Sequence, residues 1–134
     1  MPDVTRDFLQ AFFPVPFAEL GCERTPRLAV WSKTPKHGAN PGKSRTDWAT
    51  DLDQAAAFAA GRSPTEDVYF SVVLQDFDTL YANARHAFGD GYPASSVRGG
   101  NSTAAVLTAL WLDLDVGTEG HRAKSYPPDD AAAL

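Results

Sequence analysis

The segment Leu110-Trp111-Leu112-Asp113-Leu114-Asp115-Val116 constrains this chain more than any other. Side chains alternate sides along a β-strand, so a strand here gathers Leu110, Leu112, Leu114 and Val116 on one face and Trp111, Asp113 and Asp115 on the other. Two carboxylates on one strand face repel each other, and burying them without compensation is expensive. A divalent cation removes that cost, because carboxylate oxygens are the natural ligands of magnesium. Asp-x-Asp at a strand end can also simply reach water, and glycosyltransferases use the same pair with manganese and a nucleotide-sugar. An apolar strand leading into the acids strengthens the reading of Asp113 and Asp115 as Mg2+- or Mn2+-binding residues, although the pair by itself does not fix the reaction.

The rest of the sequence sets bounds. A length of 134 residues suits one domain covering 1–134. The formal net charge of −5 argues against a broad grip on DNA, so any nucleic-acid contact has to be local. One cysteine, Cys22, excludes an internal disulfide. No His/Cys cluster has ligand spacing, and no structural zinc is expected. The N-terminus carries no signal-peptide pattern and no apolar run is long enough to span a bilayer, so a cytoplasmic protein without membrane partners is expected.

Val4, Phe8, Leu9 and Phe12 recur at helical spacing up to Pro14. Arg27 to Trp31 reads as a short strand. Thr50-Asp51-Leu52-Asp53 opens a helix that runs through Ala60, with Gly61 placed to stop it. Asp67 to Leu74 is rich in β-branched and aromatic residues and reads as one strand. Residues 76–102 carry little pattern and read as irregular. Residues 103–109 are apolar and fit either a strand or a helical turn. Trp31, Trp48 and Trp111 read as core or sheet-face residues, and His37 and His86 as surface residues.

The stretch from Ser32 to Arg45 holds Lys33, Lys36, His37, Lys43 and Arg45 and no acid. Such a loop is either solvated surface or a phosphate-facing element, since charge of one sign attracts a polyanion. Arg98, followed by Gly99-Gly100, could hold a phosphate, and the glycines would let backbone approach closely.

The order of these pieces resembles the primase–polymerase domains of archaeo-eukaryotic primase type found in replication proteins of phages, plasmids and integrated elements. The residues that carry the resemblance are Val68 to Phe70, Arg98-Gly99, the strand from Leu110 to Val116, and Gly120-His121-Arg122-Ala123-Lys124-Ser125-Tyr126-Pro127-Pro128. It implies an α+β fold, a mixed sheet with flanking helices matching the N-terminal portion of such a domain. It implies that Asp113 and Asp115 form the family's first catalytic motif, that nucleoside triphosphates and a DNA template are the partners, and that a helicase or other C-terminal region accompanies the domain in a full-length protein. His121 and Lys124 fall at a family-like position just after that motif, as nucleotide- or DNA-contacting candidates with Arg98, Lys33, Lys36, Lys43 and Arg45. The family's nucleotide-binding histidine and further metal-binding aspartate have no counterpart after Asp115. Pro127-Pro128-Asp129-Asp130 reads as a helix start with about one turn after it. The expectation is therefore a domain cut just after its first motif and inactive alone. The alternatives are a non-catalytic nucleotide- or DNA-binding remnant and, more distantly, an Asp-x-Asp glycosyltransferase.

Overall fold

A computed structural model describes residues 3–37 and 41–108. It is an α+β fold in which antiparallel strands are covered by helices on both sides. The first helix, α1, spans Val4–Phe12, with the Asp3 side chain accepting from the Arg6 N–H at its start. Leu9 and Phe13 are buried, whereas Val4 and Phe8 stand largely exposed. The expected apolar face is therefore rotated, and part of it rims a groove instead of entering the core. Strand β1, Leu28–Lys33, outruns the expected strand by two residues.

Strand β2, Ser44–Ala49, was not foreseen: the basic stretch ends inside it. It pairs with β1 in an antiparallel hairpin from Leu28 opposite Ala49 to Lys33 opposite Ser44. Helix α2, Leu52–Arg62, is capped by Asp51, whose side chain accepts from the Gln54 N–H, and it passes Gly61 to end one residue later. The strand expected over 67–74 is two strands, β3 at Asp67–Phe70 and β4 at Val73–Gln75. Both follow the same edge of β1. Asp67 lies opposite Lys33 in the ladder, and Arg27 forms an isolated bridge with Gln75 beyond the interruption. The Ser71 hydroxyl donates to the Val73 carbonyl at that break (2.7 Å).

Residues 76–102 are not irregular throughout. They contain α3, Phe77–Phe88. Phe77, Leu80, Tyr81 and Ala84 pack one helical face on Ala29 and Trp48. The ambiguous stretch resolves as a 3-10 turn at Asn101–Thr103 followed by strand β5, Ala104–Leu107, antiparallel to β4.

Register divides the hairpin and β3 into two faces. The inner face carries Leu28, Val30, Ala49, Val68 and Phe70, which join Leu9, Phe13, Phe17 and Ala55 in the main core. The outer face carries Ala29 and Trp48 under α3, then the row Trp31, Thr46 and Tyr69, then the row Lys33, Ser44 and Asp67. No helix among the described residues is long and apolar enough to cross a membrane.

Candidate nucleic-acid interface

Asp113, Asp115, His121 and Lys124 lie outside the described residues. Among the described residues no three His, Cys, Asp or Glu side chains converge as a metal group would require. The described part of the candidate site is therefore its cationic part, and the register separates cations that are neighbours in sequence.

Arg45 belongs to the inner face. Its Nη2 donates to Asp47 Oδ1 at 2.8 Å, and Asp47 Oδ2 accepts from Arg62 Nε at 3.2 Å. Arg62 Nη1 also lies 3.9 Å from Glu66. The Asp47 side chain is only 10% exposed, and both its oxygens face guanidinium groups. Arg45 thus neutralises a buried carboxylate on its own strand, and Arg62 ties that carboxylate, and with it β2, to the end of α2. Lys43 takes the next position beyond the ladder, where the Thr34 N–H donates to its carbonyl and its own N–H donates to Thr34 Oγ1. Alternation puts its side chain on the opposite side from Ser44. Lys36 is exposed at the hairpin tip.

Lys33 falls on the outer face, and so does Arg98. Arg98 Nη2 donates to Ser44 Oγ at 3.3 Å, and its guanidinium stands 5.6 Å from the centroid of the Trp31 ring. Trp31 in turn packs on Tyr69, with ring centroids 5.0 Å apart and planes inclined by 38°. Beside them is an open hollow of about 290 Å³, lined mainly by polar groups that include Ser44, Thr46, Tyr92, Ser96 and Arg98.

The chain returning from α3 holds Arg98 in place. Trp48 Nε1 donates to the Ala94 carbonyl at 3.3 Å, and Tyr81 Oη donates to the Tyr92 carbonyl at 3.1 Å. Val97, the neighbour of Arg98, is 3% exposed in the outer core. On the other side, Gly99 lies against the Gln75 amide, which bonds the Thr103 hydroxyl at 2.7 Å. The close approach at Gly99 is to the Gln75 side chain, while Gly100 faces open space.

Sequence reasoning singled out Lys33 and Arg98 but missed Tyr69 as their neighbour and left Trp31 as a general sheet residue. The signal for both was available in parity: Trp31 and Lys33 share a strand face, as do Tyr69 and Asp67. What parity does not supply is the pairing of the two strands. His37 and His86 are exposed, as expected.

A second hollow, about 320 Å³ and almost wholly apolar, lies between α1 and β3, with Phe8, Phe12, Val68 and Phe70 among its walls. The Thr108 hydroxyl donates to the Phe12 carbonyl and fixes the end of the β5 segment against α1. No family model matches this chain, and no curated protein or solved structure matches it.

Proposed function

We propose that this chain is the N-terminal portion of a primase–polymerase-type nucleotidyltransferase, with an archaeo-eukaryotic primase-like fold. It would transfer nucleotides from nucleoside triphosphates to a 3′-hydroxyl on a DNA template, in the cytoplasm. The observation that supports this best is the course of β5. This strand is antiparallel to β4 and runs in the same sense as β1, from Gln75 back toward the side of β3. Its sequence continues into the alternating segment with Asp113 and Asp115. β5 lies in a two-stranded sheet with β4, linked to β1 by the Arg27–Gln75 bridge, and it points toward the end of the neighbouring three-stranded sheet that bears Lys33, Lys36 and Lys43.

Carboxylates near those cations would meet a triphosphate from two sides. Two divalent ions, Mg2+ or Mn2+, held by Asp113 and Asp115 would supply activation of the attacking hydroxyl and stabilisation of the departing pyrophosphate. Lys33 and Arg98 would position phosphates, with His121 and Lys124 as further contacts. A helicase or other C-terminal region would complete the machinery.

Binding without catalysis is the second reading, favoured by the exposed surface around Trp31, Tyr69 and Arg98. One experiment separates the two: calorimetric titration of Mn2+ into the chain and into Asp113→Asn/Asp115→Asn, with and without a deoxynucleoside triphosphate. Metal-dependent heat that the triphosphate enhances and the double substitution abolishes is expected, with modest affinity because magnesium-type sites borrow oxygens from substrate phosphates. Equal metal binding by the double variant would refute the assignment. Enhancement by a nucleotide-sugar instead of the triphosphate would favour glycosyl transfer.

A further inference from the structure

The outer sheet face holds a combination that the carboxylate chemistry does not use: two packed aromatic rings, one of them 49% exposed at Tyr69, with a guanidinium over the second ring and a lysine one row away. We propose that this face is a stacking platform for single-stranded nucleic acid, in which a base lies on Tyr69 beside Trp31 and the adjoining phosphate meets Arg98, Ser44 and Lys33. This deepens the reading above by naming the surface that would take the template strand, and it requires neither Asp113 nor Asp115.

Three features select this occupant. The rings lie where α3 no longer covers the sheet: Phe77 packs on Trp48 at 5.1 Å, whereas the Trp31–Tyr69 row lies beyond it. An exposed aromatic ring accepts any base, since every base has a π face, and bases are free to stack only in a single strand. The second feature is the neighbouring row. Two positions along a strand correspond to roughly 6–7 Å, the scale that separates a base from its own phosphate. In that row stand Lys33 and Ser44, with Arg98 bridging to Ser44. Third, the net charge of −5 disfavours a broad grip on duplex DNA but leaves room for a short local contact. Asp67 is the opposing charge in the same row, directly across from Lys33, and it weakens phosphate binding there.

The test is fluorescence anisotropy of a labelled oligothymidylate against the full 134-residue chain, in EDTA and across a potassium chloride series. EDTA keeps the result independent of the metal reading, because loss of metal heat or of primer extension leaves this binding untouched. Tyr69→Ala should weaken binding about tenfold, the scale of one lost base–aromatic stack. Tyr69→Phe should bind like the parent. Lys33→Ala should lower the slope of log K against log salt by about 0.7, one phosphate contact on a single strand. Asp67→Asn should tighten binding. Thermal melts confirm that each variant is folded, and the exposed position of Tyr69 makes its substitution mild for the core. The proposal is overturned if the parent fails to bind the oligonucleotide. Equal binding by folded Tyr69→Ala and Arg98→Gln, or equal competition by a duplex of the same sequence, also overturns it.

Discussion

Removing the carboxylate of Asp47 should cost more stability than removing any other single charge among the described residues. Asp47 lies opposite the fully buried Val30 and accepts from two arginines of different elements. A hydrogen bond to a charged group contributes about 1.5–3 kcal/mol. The Arg45 side chain is 43% exposed and the Arg62 side chain 28%, so water replaces part of each bond in the variant. Discounting for that, Asp47→Ala should lose roughly 2–3 kcal/mol, a drop in melting temperature of about 7–11 °C. Asp47→Asn keeps the shape and one acceptor and should lose about half as much. The assay is urea unfolding followed by tryptophan fluorescence, for which the adjacent Trp48 is a built-in reporter. A double-mutant cycle with Arg62→Ala should show coupling of about 1 kcal/mol or more. A loss below about 0.5 kcal/mol, the level of an ordinary surface substitution, or no coupling to Arg62, would refute this account of how β2 is held to α2.

The cap of α3 gives a prediction with a pH signature. Asp76 accepts from Thr79 Oγ1 at 2.7 Å and from the Thr79 N–H at 3.3 Å, with Arg24 Nη2 3.3 Å away, and these contacts, the Thr79 hydroxyl foremost, hold its carboxyl below the usual range. A lowered folded-state pKa adds stability above the unfolded value, and that stability disappears as pH falls through the folded value. The parent should therefore lose stability on acidification below about pH 4, and Asp76→Asn, which still caps, should show a shallower loss over the same range; identical profiles would remove Asp76 from the account. At Gly99 an added Cβ would stand 2.8 Å from the Gln75 amide, so Gly99→Ala should displace that side chain and cost about 1–2 kcal/mol. Gly100→Ala, facing open space, should melt close to the parent, and the reverse order in differential scanning calorimetry would contradict the packing described.

The elements that the sequence makes legible are those whose own periodicity carries the information. Leu9 and Phe12 in α1, the alanines of α2, and the alternation through Val68 and Phe70 each reflect one helix or strand laid on a core. β2 is illegible because Ser44-Arg45-Thr46-Asp47 places charge on the face that turns inward, and that charge is tolerated only because Arg62 arrives from α2. No local pattern encodes an arginine fifteen positions away. The helix α3 was legible in principle, through Phe77, Leu80, Tyr81 and Ala84, but the glycine- and serine-rich residues after it dilute the signal when 76–102 is taken as one stretch. The basic stretch shows the same limit at the candidate site. Composition gathers Lys33, Lys36, Lys43 and Arg45 into one patch, whereas strand parity sends Lys33 to Arg98 and commits Arg45 to Asp47.

The candidate platform depends on the return that follows α3. Gly89 follows the helix with φ at 103°, in the region that glycine enters without strain, and its N–H still donates to the Arg85 carbonyl. Phe77, the first residue of the helix, packs on Trp48, and Leu80, Tyr81 and Ala84 join the same cluster, which does not include the Trp31–Tyr69 row. From Gly89 the chain doubles back: the Tyr92 N–H donates to the Gly89 carbonyl, and Phe88 stacks on Tyr92 with centroids 4.8 Å apart. That return buries Val97 and sets Arg98 beside Trp31. A loop without the Tyr92, Ala94 and Val97 anchors would leave Arg98 free in solvent. The ring pair is left open and a cation is fixed over it by the same ten-residue return, so its exposure follows from how the chain is held and not from a lack of apolar partners.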